Sequence, residues 1–318
     1  MQTILGSGGA IGFELAKALR TYTDDIRLVS RHPKAVNPED QLVSADLTRP
    51  DEALKAIKGS KIVYLTVGLP YNSKLWRTTW PVLMRNVIGA CKANRSRLVF
   101  FDNVYMYDPD CLGGMTETTP VRPVSKKGKV RAEIADLLLN EARKGNVQAL
   151  IARAADFYGP SIKNSSILTE MVFNNLARGK KAYWMGAVDL PHSFTYTPDA
   201  ARATALLGNT ADAYGGVWHL PTAAEPLTGK EWIERIAEAL QVQPKYQVLS
   251  RTVLRGIGLF VPLIRELTEM MYQYERDYIF NSDKFERRFD FKPTSCKNGI
   301  TEIVKADYQN RGQELPVN

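Results

Sequence analysis

Four glycines within seven residues, Gly6-Ser7-Gly8-Gly9-Ala10-Ile11-Gly12, stand between an apolar run, Gln2–Leu5, and a helical pattern carrying Phe13, Leu15, Ala16 and Leu19. A chain that leaves a strand and enters a helix within so few residues needs backbone conformations that side chains obstruct, and glycine supplies them. Such a loop also lets the backbone approach a pyrophosphate, whose charge meets the free N–H groups and the positive end of the helix dipole. With three-residue spacing, Gly6, Gly9 and Gly12 read GxxGxxG. The whole segment Gly6, Ser7, Gly8, Gly9, Ala10, Ile11 and Gly12 is therefore expected to bind a dinucleotide; a glycine-rich turn without ligand is the plainer reading, and its place at the first strand-to-helix turn argues against it.

Downstream, short apolar or β-branched runs alternate with longer helical patterns. The runs are Gln2–Leu5, Ile26–Ser30, Gln41–Ser44, Ile62–Val67, Arg97–Asp102, Val147–Arg153 and Val217–Leu220, each bounded by turn residues or charge. Helical spacing covers Ile11–Arg20, Asp51–Ile57, Leu75–Ala93, Val130–Lys144 and Pro198–Gly208. Strands apolar along their whole length, separated by helices, predict a parallel sheet covered on both faces. After about Gly159 the rhythm loosens into helical patterns at Leu168–Arg178, Leu263–Tyr278 and Gly299–Tyr308. Another opens at a capping box, Thr228-Gly229-Lys230-Glu231. The expected fold is α/β: a Rossmann-type doubly wound parallel sheet with a smaller, mostly helical carboxy-terminal substrate lobe. Residues 1–160, joined by 190–222, are expected to form the dinucleotide-binding domain, and 161–318 the lobe on its carboxyl edge.

At 318 residues, 44% hydrophobic and 24% charged, the chain can bury a sizeable core. The apolar run near Ile257–Ile264 falls well short of the roughly 20 residues a spanning helix requires. Met1-Gln2-Thr3 carries no basic leader, so a cytoplasmic protein without a membrane partner is expected. Cys91, Cys111 and Cys296 form no CxxC pair, and His32, His192 and His219 share no ligand spacing; no disulfide framework and no metal are expected. The net charge of +8 is spread along the chain without a basic stripe, which disfavours nucleic acid and leaves a small-molecule substrate.

An NAD site normally has a carboxylate after the second strand, roughly 20 residues beyond the glycines, for the ribose 2′-hydroxyl. Here Ser30-Arg31-His32 stands in its place. A guanidinium suits a 2′-phosphate, so NADP(H) is preferred and NAD(H) remains possible. Asp46, before Leu47, can accept from an adenine amino group, cap the helix near Pro50, or do both. Thr66, Val67 and Gly68, at the end of the fourth strand, complete the expected cofactor edge.

Together these features resemble the extended branch of the short-chain dehydrogenase/reductase superfamily, the NAD(P)-dependent epimerase/dehydratase-like proteins, over nearly the whole chain. Gly6–Gly12 matches that branch's loop and Asp46-Leu47 its adenine-contacting Asp. Asn86-Val87-Ile88-Gly89 looks like its NxxG element, and Arg153-Ala154-Ala155-Asp156-Phe157-Tyr158-Gly159-Pro160 resembles its RxxNxYGP segment. His192 to Ala201 is similar to RxFxxVxDxA. The resemblance implies cofactor contacts at Asn86 and Tyr158.

The catalytic positions depart from it. Family members carry a Ser or Thr after the fifth strand, four residues ahead of a VYG-like Tyr, and then YxxxK. With Met106-Tyr107-Asp108 as that turn, Asn103 takes the Ser/Thr place, Lys127 aligns with the Tyr and Arg131 with the Lys; no tyrosine lies between Asp108 and Asn146. The chain is thus an atypical member lacking YxxxK. Asn103 can hydrogen-bond a carbonyl, and Lys127, beside the charges of Lys126 and Arg131 and partly buried, is a candidate proton carrier. Tyr107, Tyr105, Tyr71 or Tyr158 can reach the site from neighbouring loops. Bland readings stand beside these: a solvated helix start or phosphate clamp for Lys126, Lys127, Lys129 and Arg131, and simple packing for the tyrosines. Trp76, Trp80 and Trp184 suit a ring or sugar face, or core packing.

Two functions are compatible with this pattern. One is an NADP(H)-dependent oxidoreductase or epimerase/dehydratase-like enzyme acting on a carbonyl or hydroxyl of a small, sugar-like metabolite, as monomer or homodimer. The other is an inactive NADP(H)-binding sensor or regulatory protein.

Overall fold

The computed structural model describes residues 1–163 and 165–309. Its strands, in chain order, are β1 Gln2–Leu5, β2 Ile26–Ser30, β3 Gln41–Ser44, β4 Ile62–Leu65, β5 Arg97–Asp102, β6 Ala149–Arg153, β7 Asp156–Tyr158, β8 Ala182–Met185, β9 Phe194–Tyr196, β10 Val217–His219 and β11 Tyr246–Leu249. The chain divides into two compact units. The first comprises Met1–Asp108, Thr119–Ala154 and Pro198–Leu220; the second comprises Pro109–Thr118, Ala155–Thr197 and the described residues from Pro221.

The first unit holds a seven-stranded parallel sheet in the order β10-β6-β5-β4-β1-β2-β3. β1 pairs with both β2 and β4, and Leu5 stands level with Val29 on one side and Leu65 on the other. The direction of winding reverses between β1 and β4, which opens a crevice at their carboxyl ends, the place where such sheets bind ligands. Helices α1 Ala10–Leu19, α2 Pro50–Ile57, α3 Ser73–Asn94 and α4 Lys126–Arg143 connect the strands. Alternate strand residues, Leu5, Val29, Val63, Leu65, Leu98, Phe100 and Ile151, share a buried core with α2, α3 and α4. Tyr64 points to the opposite face, where a Cβ on Gly208 of helix Thr197–Asn209 would fall 2.3 Å from the phenol oxygen. The doubly wound α/β sheet expected from the apolar runs is therefore present.

Helix α4 begins four residues earlier than its apolar spacing predicts. Ser125 caps it by accepting from the Gly128 N–H, and Gly128 lies so close to the Tyr105 carbonyl that a Cβ there would be 2.2 Å from the oxygen. The polar-looking start of α4 is thereby packed onto the loop after β5.

The second unit has two small parallel sheets, β7 with β9 and β8 with β11. Its core gathers Leu168, Phe173, Trp184, Phe194, Trp232, Ile236, Ile300 and Ile303. The capping box forms as expected at Thr228 and Glu231, opening helix Gly229–Ala239. Other expectations change. The Leu168–Arg178 pattern is a π-helical turn, Leu168–Phe173, running into a short α-turn. Leu263–Tyr278 is no single helix: Pro262–Thr268 ends and a 3₁₀ turn, Met271–Gln273, follows. Four strands and the helices Arg251–Gly258 and Asp283–Phe289 escape the sequence reading, because elements this short show too few periods to register. Residues 310–318, counted with the expected lobe, lie outside the described residues. Among the described residues no helix is long and apolar enough to cross a membrane, and all three cysteines are free.

Candidate functional site

The glycine loop turns on Gly6, whose φ of +97° side chains rarely adopt, and a Cβ there would sit 2.6 Å from the Val67 nitrogen. A Cβ on Gly12 would sit 2.6 Å from the Gly6 carbonyl and 2.8 Å from Ser7 Cα. Both glycines are therefore required by close approach of backbone to backbone. Gly8 faces open space, and Gly9 is the N-cap of α1 with no side chain capping it. The first-turn N–H groups of α1, at Ala10, Ile11 and Gly12, are the donors that such a terminus leaves for an anion. Ser7 is buried, and its hydroxyl has no hydrogen-bond partner among the described residues. An uncapped helix start, a buried unpartnered hydroxyl and an open glycine surface fit a dinucleotide pyrophosphate.

This geometry makes a prediction. Gly12→Ala forces the loop open at a cost of about 1–3 kcal/mol and is expected to weaken dinucleotide binding roughly tenfold or more, whereas Gly8→Ala leaves the fold unchanged. Thermal unfolding and dinucleotide titration of the two variants check it; equal behaviour would remove the steric argument.

The remaining cofactor candidates lie along the same edge, after β2, β3 and β4. Ser30 is half-buried and Arg31 exposed, with the Arg31 carbonyl held by the Ser44 hydroxyl at 2.9 Å. Asp46 is exposed; its Oδ1 accepts from the Thr48 N–H at 3.0 Å and hydroxyl at 2.8 Å, and these bonds, with smaller help from Arg31, hold its carboxyl below the usual range. The N-cap of α2 is Arg49, without a side-chain bond, so Asp46 closes the turn to Thr48 and does not cap the helix. Leu47 is buried, and its carbonyl accepts from Asn86 Nδ2 at 3.0 Å. Asn86 thus spends its amide fixing the 46–48 turn. The Thr66 hydroxyl donates to the Leu5 carbonyl at 3.1 Å, Val67 supports Gly6, and Gly68 is exposed.

At the carboxyl end of β5 the structure sorts the catalytic candidates. The half-buried Asn103 accepts from the Tyr105 N–H at 3.1 Å and shapes the turn. Lys127 is 0% exposed, which overturns the solvated-helix reading, and its Nζ lies 4.5 Å from the centre of the Tyr71 ring. Tyr71 meets Trp76 edge-on at 5.9 Å, and half-buried Tyr105 stacks on Trp76 at 6.4 Å. Trp76 and Trp80 belong to the core.

Arg131 and Tyr107 are occupied elsewhere. Arg131 donates from Nε to Asp102 Oδ1 at 2.7 Å and lies over Trp80 and Phe100 at 4.6 and 4.8 Å. Arg153 donates to Asp102 Oδ2 at 3.2 Å and to the Tyr107 hydroxyl at 3.1 Å, and that hydroxyl is hydrogen-bonded to His219 Nε2 at 2.7 Å. Burial pulls the Arg153 guanidinium down, yet Asp102 and Tyr107 outweigh it and hold its pKa raised. These residues form a buried brace binding β5, β6 and β10 to α4, and it rests on Asp102, which motif reasoning passed over.

Tyr158, expected to meet the cofactor, is instead core of the second unit. Its ring packs on Tyr196 and Trp232, with Gly299 closed over its hydroxyl. Trp184 is buried there as well. His192 lies stacked between Tyr274 and Tyr278 at 4.6 and 4.2 Å, with its Nε2 3.0 Å from Asp156 Oδ2, an oxygen that also accepts from the Tyr274 hydroxyl at 2.8 Å.

The sequence profile of the NAD dependent epimerase/dehydratase family matches residues 3–218, more than half of the chain. This chain belongs to that family. The resemblance to the extended short-chain dehydrogenase/reductase superfamily therefore holds, and this epimerase/dehydratase-family protein is placed among NAD-dependent enzymes. No match is found among curated proteins. Solved structures of similar fold include UDP-glucose 4-epimerase of Thermus thermophilus in complex with NAD, at TM-score 0.77 and 16% identity over 96% of this chain and 98% of that one. dTDP-glucose 4,6-dehydratase of Bacillus anthracis in complex with NAD gives TM-score 0.79 and 17% identity over 98% and 97%. UDP-N-acetylglucosamine 4-epimerase from Bacillus cereus gives 0.75 and 15% over 100% and 99%. At these identities they establish that the epimerase/dehydratase fold extends along the chain.

Proposed function

We propose that this chain is an NADP(H)-dependent oxidoreductase or epimerase/dehydratase-like enzyme acting on a carbonyl or hydroxyl of a small, sugar-like metabolite. The observation that carries this reading is the cradle after β1, an uncapped helix start with buried Ser7, beside an exposed Arg31 at the end of β2 where a carboxylate would serve NAD. Two of the structural neighbours named above, the Thermus thermophilus epimerase and the Bacillus anthracis dehydratase, are complexes with NAD; the guanidinium is the reason for preferring the 2′-phosphorylated form here. Their sugar-nucleotide names support a sugar-like substrate class.

Bound in the cradle, the nicotinamide supplies hydride chemistry. The chain's own part is to bind, orient and move a proton. Tyr71 is half-buried and therefore the phenol better suited to meet a substrate, with the buried Lys127 side chain set against its ring face. On this reading a Tyr/Lys couple is rebuilt from the loop after β4 and the first turn of α4. Asn103 orients the carbonyl oxygen. The protein works in the cytoplasm as a monomer or homodimer.

The test is NADPH oxidation and NADP⁺ reduction against a panel of sugar-like carbonyls and alcohols. Turnover with a panel member is expected. Tight NADPH binding without turnover on any would favour the second reading, a sensor or regulatory protein, for which the missing YxxxK speaks.

A further inference from the structure

Beyond the family match, which ends at residue 218, helices Arg251–Gly258 and Pro262–Thr268 of the second unit form a hairpin with an exposed apolar outer face. Leu254 and Gly258 face inward, and Gly258 meets the Arg265 backbone so closely that a Cβ would lie 3.0 Å from its Cα. This close crossing turns Val253 and Ile257 outward and leads into a tip, Leu259-Phe260-Val261, followed by Leu263. Leu259 is 78% and Phe260 87% exposed, and the other four are exposed as well. An apolar patch of this extent on a charged protein marks a binding surface.

Three features select its occupant. The apolar residues are consecutive at a projecting turn, a shape that enters a soft layer more readily than it fills a groove. Over the hairpin, from Arg251 to Thr268, the chain carries three arginines against one acidic residue, Glu266, and Arg255 and Arg265 are exposed beside the tip. A second copy packed tip to tip would bring two surfaces of the same net positive charge together, which opposes self-association.

We propose that this hairpin docks the protein on an anionic lipid surface, with Leu259, Phe260, Val261 and Leu263 entering the headgroup boundary and Arg255 and Arg265 pairing with lipid phosphates. Such interfacial helices combine buried apolar area with cationic attraction and do not span the bilayer. The proposal departs from the sequence expectation of no membrane partner, and it is independent of the cofactor reading.

The experiment is sedimentation of the full chain with vesicles of phosphatidylcholine alone or mixed with phosphatidylglycerol, with light scattering of the free protein. Salt-sensitive binding to the mixed vesicles is expected. Leu259→Ser with Phe260→Ser should weaken it at least about a hundredfold, and Arg255→Glu with Arg265→Glu about tenfold or more. Both pairs are exposed, and unchanged thermal unfolding confirms folded variants. No binding to either vesicle, or equal binding to both, overturns the proposal. So does an oligomer in free solution that the serine variant dissociates, which would give the patch to a second copy, or a patch that binds a soluble protein and no lipid.

Discussion

Asp102→Ala is expected to destabilise the protein by about 3–5 kcal/mol, a large share of the roughly 5–15 kcal/mol that holds a folded domain together. The Asp102 side chain is wholly buried and is the shared acceptor for Arg131 and Arg153. Removing it leaves two guanidiniums in the interior without their counter-charge. The Asp102 Oδ1 also accepts from the Asn103 N–H at 2.9 Å, so the turn that presents Asn103 and Tyr105 loosens with the brace. Asp102→Asn, which keeps an acceptor and loses the charge, should fall between wild type and alanine. Urea unfolding followed by circular dichroism measures the differences. A loss below about 1 kcal/mol for the alanine variant would mean that the brace contributes no more than an exposed ion pair.

Lys127→Met should lower kcat by about two to four orders of magnitude while leaving NADPH affinity close to wild type. Methionine keeps the length and apolar stem of a fully buried side chain and removes the charge lying 4.5 Å from the Tyr71 ring centre. Tyr71→Phe should lose rate by a comparable factor, because it keeps the ring against Trp76 and deletes only the hydroxyl. If the two form one couple, the double variant should be little worse than either single variant. A Tyr71→Phe enzyme with unchanged kcat and pH profile would reduce Lys127 to a structural cation. Steady-state rates on whichever panel substrate turns over decide between these outcomes.

The first unit was readable because its central strands are buried on both faces, so Ile62–Leu65 and Arg97–Asp102 stand out as apolar runs without help from tertiary contacts. The glycine loop was readable for a related reason: Gly6 and Gly12 are dictated by backbone approach within a short stretch of chain. The fate of Arg131 and Tyr107 was not readable. Their partners arrive from far along the chain, Asp102 at 29 residues from Arg131 and His219 at 112 from Tyr107, and no local spacing encodes such a meeting. Lys127 misled in a different way. Lys126-Lys127-Gly128-Lys129 reads as solvated, and it is the closeness of Gly128 to the Tyr105 carbonyl that folds this turn inward. In the second unit, Asp156–Tyr158 and Phe194–Tyr196 are both short and interrupted by a polar residue, Asp156 or Thr195, and no regular alternation with helices frames them.

The central claim is that the loop after β1 and Arg31 after β2 form an NADP(H) site. Calorimetric titration of the purified protein with NADPH and with NADH, at one fixed salt concentration, tests it most directly when repeated with Arg31→Asp. NADPH is expected to bind more tightly by a factor of about 10–100, the worth of a charge-assisted pair with the 2′-phosphate, and Arg31→Asp to abolish the preference. Equal affinities in the wild-type protein, or no binding of either dinucleotide, would contradict it.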